Sequence, residues 1–339
     1  MNHVERFRAL MSFQPVDRLP RIEWATWWRL TIERWRREGL PPSLDDTFEI
    51  SSYFGLDPYK QFWLPVHSAS FPPPKGFDPD VKRGIGELGW VEDDDDYDAL
   101  NSYLYPPIDD LLPQMRPWGE RQARGEVVIW ITMSGFFWFP RTLLGIERHL
   151  YAFYDQPDLM HRMNQDLVDY HIRMLGQVAE VCCPVFMTFA EDFSYNHGPM
   201  LSKRLFDEFM APYYRQIIPL VRELDIIPVI DSDGDITAAV PWLAEVGVNG
   251  FLPLERQAGV DGDALRRRFP RLQIVGHFDK MTMPRGEEAM RAEFERLLPL
   301  MRTGGYIPSV DHQTPPGVSL ETYRVYLRLL DEYTIKGAR

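Results

Sequence analysis

The chain has 339 residues, 45% hydrophobic and 26% charged, which is enough apolar material for a large buried core. Its formal charge of −13 argues against nucleic acid or an anionic membrane surface as a partner, since both need a positive face. The only cysteines are the adjacent pair Cys182-Cys183, which offers no disulfide framework; the opening residues lack a signal peptide's apolar core, and no run approaches roughly 18 apolar residues, so a cytoplasmic protein is expected.

Residues 4–13 read as a short amphipathic helix ended by the turn Gln14-Pro15-Val16-Asp17. After Pro20, an extended segment is predicted over 21–25 and an arginine-rich helix over 27–38. Residues 41–124 are the least regular, with Pro72-Pro73-Pro74 and the acidic run Glu92 to Asp96, read as a solvated loop rather than a hard-cation site. From about residue 126 the pattern becomes regular. Strands are predicted at 127–133, 185–190, 226–230, 250–254, 272–275 and 306–310. Helices are predicted over 157–181, 202–224, 236–246, 262–269, 286–303 and 319–333, with Ser202 and Ser319 suited to N-caps.

Continuous apolar strands followed by helices describe a parallel sheet covered on both faces. Six such units, with room for two before them, favour an α/β fold of the (β/α)8 TIM-barrel type. It is read as one domain over 1–339, an elaborated N-terminal region (1–125) leading into regular repeats (126–335). The open, doubly wound alternative lacks its glycine-rich nucleotide loop.

In such a barrel, chemistry sits just after each strand. Those positions read Ser134-Gly135, Glu191-Asp192, Asp231-Ser232-Asp233, Glu255, His277-Phe278-Asp279 and Asp311-His312. Any one of these acids serves equally well as the N-cap of the next helix, and a lone histidine as a packed core side chain. Together they would crowd one funnel, where carboxylates repel unless protons or a cation offset them. Two readings stay open: a mixed nitrogen and oxygen metal site suited to Zn2+, or a proton-shuttling carboxylate–histidine cluster. Asp233, Glu255 and His277 are the candidate metal ligands; Glu191, Asp192, Asp231 and His312 are the candidate catalytic residues. The loop Ser134-Gly135-Phe136-Phe137-Trp138-Phe139-Pro140 is suited to walling a pocket for a flat or apolar ligand, or to lidding the rim. His197, in the turn Asn196-His197-Gly198-Pro199, is placed at the mouth. No Gly-x-Ser-x-Gly elbow occurs, which argues against a hydrolase triad.

The order and spacing of several motifs resemble the uroporphyrinogen decarboxylase superfamily, which includes the decarboxylase and corrinoid-linked methyltransferases. They are Glu5-Arg6 with Asp17-Arg18-Leu19-Pro20, and Gln156-Pro157-Asp158-Leu159. Further along come Glu191-Asp192-Phe193 with Gly198-Pro199-Met200-Leu201-Ser202, Gly276-His277-Phe278-Asp279, and Gly304-Gly305-Tyr306 through Asp311-His312 to Thr314-Pro315-Pro316. The resemblance implies a (β/α)8 barrel and, by family habit, a homodimer.

Departures from the family pattern direct the choice of activity. Where the decarboxylase carries arginines to hold porphyrinogen carboxylates, this chain has Arg21-Ile22-Glu23-Trp24 and Trp27-Trp28. Glu23 is expected to repel an acidic tetrapyrrole. Where thiol-activating methyltransferases carry zinc-binding cysteines, it has Asp231, Asp233 and Asp311-His312. The resemblance therefore implies a methyltransferase or demethylase moving methyl from a small O- or N-methylated donor to a corrinoid on a partner protein, with Zn2+ as the expected metal. Trp24, Trp27, Trp28, Phe136, Phe137, Trp138, Phe139 and His197 are the expected donor contacts. The alternatives are a metal-free decarboxylase of a tetrapyrrole or other acidic aromatic using Asp192 and His312, and a non-catalytic tetrapyrrole-binding barrel.

Overall fold

The computed structural model describes residues 1–77 and 87–338. Seven parallel strands make one curled sheet: β1 (Tyr59–Trp63), β2 (Val128–Ser134), β3 (Phe186–Ala190), β4 (Ile227–Asp231), β5 (Gly250–Leu252), β6 (Gln273–Phe278) and β7 (Tyr306–Val310). Each strand pairs with the next along the chain. That order is what strands joined by same-handed crossovers give when they wind around a common axis. Val128 through Met133 and all of β7 are buried, which is why these strands carry uninterrupted apolar runs. The ends are level: Ser134 stands opposite Ala190, Ala190 opposite Asp231, and Asp231 opposite Leu252. Residues that follow these strands therefore emerge around one rim.

Helices cover the outside. The longest, Pro157–Ala179, buries Leu159, Met163, Leu167, Tyr170 and Met174, the stripe its spacing predicts. Ser202 and Ser319 cap their helices by accepting from Leu205 N and Thr322 N. Among the described residues, no helix is long and apolar enough to cross a membrane.

Four expectations need correction. No eighth ladder strand forms among the described residues; the segment predicted as extended over 21–25 lies instead across the open edge. Its Arg21 carbonyl accepts from Asp57 N at 2.9 Å, and its Trp24 indole N–H donates to the Val310 carbonyl. Tyr59 donates its hydroxyl to the Glu23 carbonyl, so residues beside β1 and in β7 are tied to one segment. The first strand, β1, falls within the stretch read as irregular, because only Tyr59 and Phe62 of its five residues are buried. The acidic run does not stay a loop. Asp94–Leu100 is helical, and the Asp93 carboxylate accepts from Asp96 N at 3.0 Å, where negative side chains favour the positive end of a helix. The helix expected over 202–224 is two, Lys203–Phe209 and Ala211–Glu223, divided at Met210 just before Pro212.

Candidate active site

A cavity of about 330 Å³ opens at the C-terminal rim. Asp192, Asp231, Asp233 and His312 reach it from the ends of β3, β4 and β7, and Trp24, Trp63, Trp130 and Trp138 supply apolar walls. A larger cleft, about 420 Å³, lies against the helix Ile146–Asp155, away from the strand ends, with exposed charges such as Arg148 and Glu92 paired to each other. Both are lined by titratable groups, but only those of the rim cavity emerge from the strand ends, which makes it the better candidate for chemistry.

Its backbone is tightly constrained. Glu191 N and Asp192 N both point to the Asp231 carbonyl, at 2.9 and 3.4 Å. This reverses the chain, and Asp192 adopts φ 41°, a left-handed conformation that aspartate tolerates better than bulkier residues do. The Asp192 carboxylate then accepts from Asp233 N at 3.2 Å, joining the β3 and β4 loops. Gly234, at φ 80°, permits the next turn; a Cβ there would stand 2.7 Å from the Tyr195 backbone.

The charges are unevenly shared. Burial is the first reason Asp231 holds its proton far above the usual carboxylate range, and the nearby Asp192 and Asp233 add repulsion. Its carboxyl makes no hydrogen bond among the described residues, although it borders the cavity. Asp192 is raised too, by burial and then by Asp233. His312 Nε2 stands 3.4 Å from Asp233 Oδ2, and that contact raises the imidazole above its ordinary value. The site thus sets a buried carboxyl that favours its proton beside the His312–Asp233 contact, which suits proton donation to a departing group.

The other expected catalytic residue, Glu191, faces away from the cavity. Fully buried, it accepts from Phe136 N at 2.8 Å, Phe137 N at 2.7 Å and Trp138 N at 3.3 Å, and from the Tyr214 hydroxyl. Four donors on one carboxylate make a clasp that fixes the loop after β2. Burial pushes its pKa up to about 7 despite these bonds. Gly135 is required below it, since a Cβ there would come within 2.0 Å of the Glu191 carboxyl carbon.

Of the expected donor contacts, Trp24 and Trp138 line the cavity. Trp27 is buried against Trp35, Phe54 and Tyr323, whereas Trp28 is exposed at the start of helix Arg29–Arg37. Phe136, Phe137 and Phe139 turn into the core, against Tyr214, His149 and Tyr105, because the loop enters helix Trp138–Leu144 and only one side of it faces the rim. His197 is exposed, 5.7 Å from Tyr195, and outside the cavity lining. Glu23, expected to repel anions, is buried behind the site with its carboxylate on Val310 N, Ser309 Oγ and Tyr323 Oη.

The proposed metal ligands do not fit a metal. Among the described residues no group of three or more His, Cys, Asp or Glu side chains is arranged to hold one. His277 is buried with both ring nitrogens engaged: Nδ1 contacts the Leu254 carbonyl at 2.8 Å, and Nε2 accepts from Gly262 N at 3.1 Å. One donor and one acceptor contact match a neutral imidazole, and burial lowers its pKa to about 4. Glu255 accepts from Gly234 N at 3.1 Å and supports the Asp233 turn. Asp311 is held by Arg256 N and Lys280 N, with the Lys280 ammonium 3.3 Å away.

Sequence reasoning missed Gln61, Trp63, Trp130 and Gln313 as lining residues. Trp130 sat inside a run read as core strand, and the short Tyr59 to Trp63 segment carries no period-2 pattern that would have exposed β1. It also missed Arg141, which donates to the Asp192 carbonyl at 2.9 Å and lies over the Trp138 ring.

Residues 121–333 match the profile of the family described as Uroporphyrinogen decarboxylase (URO-D). Curated relatives include uroporphyrinogen decarboxylases from Bordetella petrii, 27% identical over 183 residues (50% of this chain, 48% of that protein), and from Alcanivorax borkumensis, 28% over 204 residues (56% and 53%). The chain thus spans about half the length of these relatives. A solved methyltransferase from Methanosarcina mazei shares the fold at TM-score 0.65 and 15% identity, covering 98% of this chain and 99% of that one.

Proposed function

Because the chain belongs to the uroporphyrinogen decarboxylase family, we propose that it is a methyltransferase acting on a small O- or N-methylated donor, with a corrinoid protein as the methyl acceptor. The observation that carries this reading is the lining of the rim cavity: four tryptophans and three aspartates, with no lysine or arginine among the described lining residues. A polycarboxylated tetrapyrrole needs cationic partners and a large site; about 330 Å³ with acidic walls is suited to a small ligand carrying no negative charge.

The partner's corrinoid would supply the electron pair that takes the methyl group. This chain's residues would do the rest. The tryptophans exclude water and hold the methyl group and its parent. When the methyl–oxygen bond of an ether breaks, its electron pair stays on oxygen and the Asp231 carboxyl hands over a proton; a methylated ammonium departs as a neutral amine and needs none. The Asp233–His312 pair restores that proton. Trp63 is exposed at the lip, so a donor held inside is reachable from outside the rim. No step runs through a metal of this chain, since its donors do not converge on one.

The test is methyl transfer to added cob(I)alamin or a corrinoid protein, from methoxylated and methylated-ammonium donors. Asp231→Asn is expected to slow transfer from an ether donor by about 100-fold with its fold retained. Absence of transfer from every donor in both classes rejects the reading.

A second reading keeps the same residues. Asp192 and His312 both border the cavity, as a decarboxylase of an acidic aromatic using these two residues requires. Carbon dioxide release by chelator-treated protein would support it over methyl transfer, against the acidic lining.

A further inference from the structure

We infer that the rim cavity is a receptor for a cationic methylated ammonium group, which narrows the methyl donor proposed above to this charge class and rests on that reading only for the reaction that follows binding. The inference comes from what each lining group has left to offer. The indole N–H of Trp24 is bonded to the Val310 carbonyl and that of Trp130 to Thr188 Oγ1, at 2.6 and 2.9 Å. Both rings therefore present carbon to the cavity. The side-chain amides of Gln61 and Gln313 donate to Thr132 Oγ1 and Thr26 Oγ1, at 2.8 and 3.2 Å. Each amide keeps its carbonyl oxygen and one N–H unspent. The aspartates add carboxyl oxygens, and Asp231 has no partner among the described residues.

The lining is therefore largely aromatic surface, amides and carboxyl groups, with His312 its only basic side chain among the described residues. His312 is already committed to Asp233. Such a set suits a ligand that is positive, bulky and poor in acceptors. Ring faces attract cations through their quadrupoles, and desolvated carboxylates do so by charge. A neutral methoxyarene would satisfy the rings and leave the acidic side uncompensated; an anion would be repelled. A methylated ammonium fits both halves, because its charge is spread over methyl surfaces that pack against tryptophan. Its charge would also relieve the mutual repulsion of the carboxyls, so binding should release protons and tighten as pH rises.

The experiment compares choline chloride with 3,3-dimethylbutan-1-ol, which replaces the ammonium nitrogen by carbon. Each is titrated calorimetrically into the full-length protein at constant ionic strength. Choline is expected to bind at least about tenfold more tightly at pH 8, an advantage that shrinks at pH 5. Asp231→Asn, checked for an unchanged melting temperature, should cut the choline advantage; if that variant unfolds, the pH dependence of the wild-type protein decides. Equal affinities, failure of both probes to bind, or a choline advantage independent of pH would overturn the inference. Choline selectivity in a protein that moves no methyl group from any donor would uphold this inference and reject the methyl-transfer reading. Methyl transfer from a methoxyarene by a protein that prefers the neutral alcohol would do the reverse.

Discussion

Glu191 shows how one carboxylate can matter to a site without touching it. Its four donors come from three successive backbone N–H groups and the Tyr214 hydroxyl, all buried. Glu191→Gln leaves a single good acceptor oxygen and sets an amide N–H against other donors. We expect a loss of about 3 kcal/mol in unfolding free energy, measured by urea titration, and a changed Trp138 environment. A variant as stable as the parent would show that the clasp contributes little. The sequence placed Glu191 and Asp192 together after a strand but could not say which faces the ligand. Neighbouring residues diverge there because Asp192 sits at positive φ, a consequence of the doubly bonded Asp231 carbonyl. Asp231, Asp192 and His312 were legible as site candidates because strand ends were legible. His277 was misread for the same reason: it follows the strand predicted at 272–275, but β6 runs on through Phe278, which leaves the imidazole among buried neighbours.

At the scale of elements, the loop between β2 and helix Trp138–Leu144 depends on one small residue. Gly135→Ala would drive a methyl group into the Glu191 carboxyl carbon, and that carboxylate is held in place on its far side. We expect a cost of about 2–4 kcal/mol, with a shift in tryptophan fluorescence as Trp138 leaves the cavity wall. An alanine variant with parental stability and emission would mean the clasp yields easily. Most regular elements after residue 126 were readable from the sequence, since apolar runs, Ser202 and Ser319 are local signals. β1 was not, because Lys60 and Gln61 interrupt its apolar residues and it departs from the continuous pattern of its neighbours. The break at Met210 was missed because the apolar stripe runs on through it; the nearby Pro212 was the available clue.

For the whole molecule, three fully buried histidines set a response to acid. Burial lowers the pKa of His149 to about 3, and those of His171 and His277 to about 4. Each folded value lies below the ordinary 6.5, so each contributes stability that is present above about pH 6.5 and lost as pH falls through its folded pKa. For His277 this is about 3 kcal/mol. The stability difference between the wild-type protein and His277→Gln should be largest at pH 7 and close towards pH 4, in melts run at each pH. A constant difference would mean that His277 is not held neutral. Composition, periodicity and motif order determined the barrel-like α/β architecture, the family and the strand-end rim as the candidate site, because each is written in local hydrophobicity or in spacing. Tertiary structure alone decided which rings wall the cavity, that Glu23 and Glu191 serve the framework, and that both His277 ring nitrogens are taken by backbone partners. Those outcomes depend on where a side chain points after its strand ends, and that direction is set by contacts with residues far away in the chain.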